Sequence, residues 1–235
     1  MPDELLCEIE NVLAQVPIDF GGGCSVRKAF VMAWLIRRFR LATTVDIGVY
    51  RGRSLFPQAI AHRLATGGVV YGVDPWSAEE AAESDNLALR DAIEHFVATT
   101  DFEGLFQEVT LKLKEYGLAR HTRIVRSTSA RAASRFVDDG VAFDLVHIDG
   151  NHDTSAVLRD VRLYLPLVRP GGFVVMDDVS WDSVRPAVRE VACHARLLLH
   201  RVAPERGDDY AVFQKGGSWL SVAVLSRRLR RLAHP

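Results

Sequence analysis

Three carboxylates carry the strongest chemical signal in this 235-residue chain. Asp149 closes the apolar run FDLVHI, and the pair Asp177–Asp178 closes GFVVM. A buried ionised carboxylate without a partner costs several kcal/mol or more, so each of these acids needs one. If the two runs are neighbouring strands, their tips lie roughly 5 Å apart. Acids that close raise one another's pKa. A divalent cation relieves the repulsion directly. Hard oxygen ligands suit Mg²⁺, which takes few protein carboxylates and keeps water or substrate oxygens in the rest of its shell. The alternative is three solvated loop acids, or partners for arginines such as Arg51 or Arg185. Strand alternation sends neighbouring side chains to opposite faces, so Asp177 and Asp178 serve one ion only if the chain has left the strand there.

His152 follows Asp149 by three residues, at the start of a predicted helix. Alone it reads as a cap or a surface residue. Beside a metal-bound hydroxyl it becomes a candidate general base, provided it comes within about 2.6–3.2 Å of the proton it takes. His147, two residues before Asp149, reads as core packing or as a support for the site.

A second set of polar residues closes other apolar runs. In VDIGVYRGRS, Gly48 and Gly52 bracket a tight strand-to-helix turn. Glycines there admit close approach of a ligand, and a helix N-terminus offers free N–H groups to a carboxylate or phosphate. Tyr50 breaks the GxGxxG dinucleotide pattern. Asp46 precedes the first glycine, which suits a ligand carrying an ammonium group as well as a carboxylate. Asp74 closes the next run, where a carboxylate can accept bonds from ribose hydroxyls. Trp76 offers a flat face to a base. Ser127, Thr128 and Ser129 close the third run and can bond a base edge while capping a helix. Taken singly these are turn glycines and helix caps; their recurrence at three successive run ends is the signal.

These residues need a frame. Strand-like runs fall at about 43–47, 69–73, 122–126, 143–148 and 172–176, with helical patterns at about 26–40, 53–65, 129–137, 153–166 and 182–193. Continuous apolar runs alternating with helices indicate a parallel sheet covered on both faces. Runs at about 196–202 and 209–214 have only APERGD between them, which predicts a hairpin and an antiparallel last strand. The expected fold is therefore α/β, a doubly wound, Rossmann-like, mostly parallel seven-stranded sheet with helices on both faces. One domain covers 1–235. An N-terminal helical segment, 1–42, precedes the core, 43–215. A helical insertion, 77–120, and the N-terminal segment are placed to act as lids or as plain appendages. The basic amphipathic tail, 216–235, reads as a docking or homo-oligomer helix.

Composition narrows the partners. The chain is 48% hydrophobic and 25% charged, with net charge −1. That gives no reason to expect nucleic acid. Its only lysines are Lys28, Lys112, Lys114 and Lys215, read here as coding bias rather than chemistry. Cys7, Cys24 and Cys193 form no CxxC pair and read as free thiols in a reducing compartment. The start MPDELLCEIE lacks an apolar signal core, and no run approaches roughly 18 apolar residues. A cytoplasmic location away from membranes is expected.

DIGVYRGRS and the later LVRPGGFVVMDD resemble motifs of the class I S-adenosylmethionine-dependent methyltransferases. The variant is similar to the metal-dependent O-methyltransferases, which include catechol O-methyltransferase and the macrocin-type sugar enzymes. The resemblance covers about 43–178. It implies that Asp46, the Gly48–Gly52 turn with Tyr50, and Ser54 hold the methionine part of S-adenosylmethionine. It implies that Asp74 takes the ribose and that Trp76, Ser127 and Thr128 flank the adenine. Asp149, Asp177 and Asp178 match the group's Mg²⁺ ligands, with Asp149 also beside the cofactor. His152 stands where the macrocin-type enzymes carry His and the catechol enzyme a basic Lys, which implies a catalytic base. The acidic pair and the His lean towards a hydroxyl acceptor on a sugar or polyol of a secondary metabolite. A metal-independent N- or C-methyltransferase and a non-catalytic S-adenosylmethionine-binding protein remain as alternatives.

Overall fold

The computed structural model describes residues 2–19, 22–65, 67–82, 90–203, 207–216 and 219–233. The elements run α1 (Pro2–Leu13), α2 (Val26–Phe39), β1 (Thr43–Ile47), α3 (Leu55–Ala65), β2 (Val69–Asp74), α4 (Ala78–Ala82), α5 (Arg90–Thr99), α6 (Phe102–Glu115), β3 (Thr122–Arg126), α7 (Ser129–Asp138), β4 (Phe143–Ile148), α8 (Thr154–Tyr164), β5 (Val168–Asp177), α9 (Arg185–His194), β6 (Arg196–Arg201), β7 (Tyr210–Gln214) and α10 (Trp219–Ala233). The seven strands form one sheet in the order β3-β2-β1-β4-β5-β7-β6. β7 is antiparallel to both neighbours, and the other strands share one direction. The expected doubly wound sheet with its antiparallel last strand is present.

Alternation along the central strands sorts side chains into two apolar layers. Val45, Ile47, Val146, Ile148, Val174 and Met176 face one layer, against α7, α8 and α9. Leu145, Phe173, Val175 and Val212 face the other, against α1, α2, α3 and α10. Each fully buried Val, Leu, Ile or Phe contributes roughly 1.5–3 kcal/mol. The same alternation puts Asp46, His147, Asp149 and Asp177 on the face that α2 covers. That placement decides the chemistry of the site.

The N-terminal segment is more than a lid. Leu5, Ile9 and Leu13 recur at helical spacing on α1 and are buried in the layer shared with α2 and α3. Of its terminal glycines, Gly21 lies outside the described residues. The insertion divides in two. α6 is anchored by buried Leu105, Val109 and Leu113, whereas α4 and α5 bury no side chain. Residues 83–89 of the insertion and 204–206 of the expected β6–β7 turn lie outside the description. In the tail, α10 packs on α2 and β6 through Leu229 and Ala233. No helix among the described residues is long and apolar enough to cross a membrane.

Candidate active site

The strand tips open into a cavity of about 770 Å³ at the carboxyl edge of the sheet. Register explains why. Ile47 pairs with Ile148, and Ile148 with Met176, so Gly48, Asp149 and Asp177 are each the next residue along.

At one end, the chain turns sharply after β1. Gly48 has φ 85°, and a Cβ there would stand 2.0 Å from the Asp149 carbonyl oxygen. Only glycine lets the two tips come so close. Asp74 then organises the wall. Its Oδ2 accepts from the Tyr50 N–H at 2.9 Å and its Oδ1 from the Trp76 N–H at 2.7 Å. Tyr50 and Trp76 both have left-handed backbones, φ 48° and 43°. Such conformations cost non-glycine residues about 1–3 kcal/mol, which the two bonds to Asp74 help offset. Trp76 also donates Nε1–H to the Tyr50 carbonyl at 2.9 Å and is almost fully buried. Burial raises the Asp74 pKa, while the N–H groups of Tyr50 and Trp76 oppose the rise.

Tyr50, Ser54, Asp74, Trp76, Thr128 and Asp149 all line the cavity. Asp46 does not. It is wholly buried on the α2 side, with one oxygen accepting from Ser54 Oγ at 2.8 Å and the other 2.6 Å from His147 Nδ1. Gly52 is a turn residue whose Cβ would strike the Phe56 ring at 2.6 Å. Ser127 lies off the cavity wall, with its N–H bonded to the Asp74 carbonyl. Thr128 caps α7, and Ser129 donates to Asp160 Oδ1 at 2.5 Å. Ser129 and the buried Asp160 both face the cavity.

At the other end, Asp149, Asp177 and Asp178 line the same cavity. Alternation alone would turn Asp178 away. Its left-handed φ of 49° takes it out of the strand, and its N–H bonds the Asp209 carbonyl at 2.8 Å. His152 Nε2 lies 2.8 Å from Asp178 Oδ2 and 3.6 Å from Asp149 Oδ1. The His152 ring packs against Trp181, centroids 5.2 Å apart. His147 Nε2 is 4.0 Å from Asp149 Oδ2.

The acids have an internal cation that the sequence reading overlooked. Lys28, on α2, is fully buried; its Nζ contacts Asp177 Oδ2 and lies 3.4 Å from Asp149 Oδ2. Reading the lysines as coding bias is thus wrong for Lys28. The signal available was one lysine inside KAFVMAWLI, on a helix otherwise buried there, and buried lysines are almost never unpaired. The arginines weighed as partners go elsewhere: Arg51 pairs with Asp19 and Glu108, and Arg185 with Asp182.

Charge in the cluster is strongly coupled. Burial works against the Asp149 carboxylate, but the Lys28 ammonium and His152 hold its pKa below the usual range. Burial and the neighbouring Asp149 push Asp177 well above it. Burial would depress the His152 imidazole, yet Asp149 and Asp178 outweigh it and raise its pKa to about 10. Two overlapping ligand sets result, His147–Asp149–Asp177 and Asp149–His152–Asp178, each with donor atoms within 4.8 Å of one another. Asp177 Oδ1 is buried without a hydrogen-bond donor among the described residues. An unpartnered carboxylate oxygen among hard oxygen donors fits a divalent cation.

A family model described as a methyltransferase domain matches residues 45–179. Among curated proteins, the uncharacterized protein y4gI of Sinorhizobium fredii is 25% identical over 150 residues, covering 63% of this chain and 14% of that protein. The chain therefore spans a small part of that relative. Among solved structures, the O-methyltransferase TomG of Streptomyces achromogenes, involved in tomaymycin synthesis and solved with SAM, aligns with TM-score 0.62 and 17% identity over 91% of this chain and 90% of its own. An O-methyltransferase from Bacillus cereus in complex with SAH aligns with TM-score 0.60 and 15% identity over 90% of both chains. At these identities the likeness is one of fold.

Proposed function

From the premise that this chain belongs to the methyltransferase-domain family, whose model covers most of its core, we propose that it transfers a methyl group from S-adenosylmethionine to a hydroxyl oxygen of a small molecule, with Mg²⁺ as cofactor. One observation carries the reading: a single cavity joins Gly48, Tyr50 and Asp74 at one end to Asp149, Asp177, Asp178 and His152 at the other. The first group suits a nucleoside with an amino-acid arm; the second suits a hydroxyl that must lose a proton.

Asp149, Asp177 and Asp178 would hold the ion, which when bound lowers the pKa of a coordinated hydroxyl. His152, beside Asp149 and Asp178, is the residue placed to take a proton from the acceptor hydroxyl. As the chain stands, the carboxylates of Asp149 and Asp178 keep His152 protonated. A cation held by those carboxylates would weaken their hold on that proton and would leave the imidazole able to accept one. The protein's remaining work is alignment. Trp181 packs the imidazole on one side, and Phe96 and Phe102 of the insertion line the cavity. Holding nucleophile and methyl in line lowers the barrier by several kcal/mol. The acidic pair and the His favour a sugar or polyol acceptor.

Lys28 favours a second reading, transfer without a divalent ion, because it already neutralises part of the cluster. The nucleotide half is tested by calorimetry. S-Adenosylhomocysteine should bind with a micromolar or lower Kd and NAD⁺ should not; the reverse preference would overturn the assignment.

A further inference from the structure

Nothing within α2 favours an ammonium at position 28. Lys28 sits in the first turn, next to the N-cap Ser25, where a cation opposes the helix dipole. Its side chain is wholly buried, and among the described residues its Nζ hydrogen-bonds three oxygens: Asp177 Oδ2, Asp149 Oδ2 at 3.4 Å and the Gly23 carbonyl at 3.3 Å. The helix start that carries Lys28 is anchored as well: Ser25 Oγ accepts from the Lys28 backbone N–H at 3.0 Å. Ser25 Oγ donates to Asp208 Oδ1 at 3.0 Å, and Asp208 is a buried partner of Arg201 at 2.6 Å. Lys28 thus takes one oxygen from each carboxylate and leaves Asp149 Oδ1 and Asp177 Oδ1 for other partners.

We infer that Lys28 is a resident counter-ion for the metal-binding carboxylates: it holds Asp149 and Asp177 in place when no divalent ion is bound, and it opposes that ion's charge so that the ion stays exchangeable. The second half rests on the Mg²⁺ reading above; the first does not. Removing either partner of a buried ion pair leaves the other charge uncompensated. Removing a nearby positive charge strengthens binding of a divalent cation by about tenfold or more.

The test uses the full chain, stripped with EDTA, as wild type, Lys28→Met and the double variant Lys28→Met/Asp177→Asn. Thermal melting is followed with and without Mn²⁺, and Mn²⁺ affinity is measured by calorimetry. Lys28→Met should melt lower than wild type in EDTA, recover most of the loss with Mn²⁺, and bind Mn²⁺ about tenfold or more tightly. The double variant, which removes the Asp177 carboxylate along with the ammonium and leaves Asp149 as the one carboxylate Lys28 had contacted, should regain part of the lost stability in EDTA. A Lys28→Met protein with unchanged melting, or with weaker Mn²⁺ binding, would overturn the inference. So would a double variant that folds no better than the single one, since Lys28 would then act by packing rather than charge. If wild type and Lys28→Met both fail to bind Mn²⁺ while the double variant regains stability, the Mg²⁺ reading falls with the exchange role, and the counter-ion role stands.

Discussion

His152 Nε2 stands 2.8 Å from Asp178 Oδ2, with the imidazole packed against Trp181 and about one third of its side chain open to the cavity. An imidazole so placed can take a proton from a hydroxyl held at the acids. His152→Ala should lower kcat by about 10²–10⁴. It should leave the Kd for S-adenosylmethionine nearly unchanged. Turnover within a few-fold of wild type would remove His152 from the reaction.

Asp74 tests the other half. Its two oxygens hold the N–H groups of Tyr50 and Trp76, both in left-handed conformations. Asp74→Ala loses those bonds and, on the proposed reading, the acceptor for ribose hydroxyls as well. Calorimetry should show S-adenosylmethionine binding weakened by roughly tenfold to a hundredfold, at about 1–1.5 kcal/mol per lost bond. Unchanged affinity would place the nucleoside elsewhere.

Gly48 shows how the turn and the acid end depend on each other. A methyl group there meets the Asp149 carbonyl at 2.0 Å, whereas one at Gly67, φ 69°, meets nothing within 4 Å. Both substitutions to Ala bear the cost of a left-handed backbone, about 1 kcal/mol. Gly48→Ala should lose about 3 kcal/mol or more in urea denaturation, and Gly67→Ala only the smaller share. Equal losses would mean that the tips of β1 and β4 are not in contact.

Asp160 gives a pH signature. Burial raises its pKa to about 6, against the hydrogen bond from Ser129 and the charge of Arg159. A carboxyl whose folded pKa lies above its unfolded value contributes fully at low pH, and that contribution is lost as pH rises through the folded pKa. Asp160→Asn should match wild type near pH 4 and exceed it in stability by about 2–3 kcal/mol at pH 8. The check is chemical denaturation at both pH values; a gap that does not grow with pH would refute the assignment.

Much of this site could be read from strand ends. Gly48, Asp74, Asp149 and Asp177 share one edge because each follows an apolar run in a parallel sheet, and those runs are local patterns. The face on which a residue lies was harder to read. Asp46 alternates with Val45 and Ile47, so its side chain turns under α2 rather than into the cavity. Spacing from a glycine does not report that. Asp178 reaches the site only through a left-handed φ, which nothing in VVMDDVSW requires. Lys28 meets acids 121 and 149 positions away, contacts set by packing of α2 on the sheet. The burial of α1 was written in the spacing of Leu5, Ile9 and Leu13, but those residues could equally have closed over a ligand.

Metal-dependent turnover bears on all of this at once. The purified chain would be incubated with S-adenosylmethionine and a panel of sugars and other polyols, and S-adenosylhomocysteine formation followed. Turnover on at least one hydroxylated acceptor should fall to background in EDTA and return when Mg²⁺ is added in excess. Turnover that survives EDTA and ignores added Mg²⁺ would contradict a reaction run through Asp149, Asp177 and Asp178 as metal ligands.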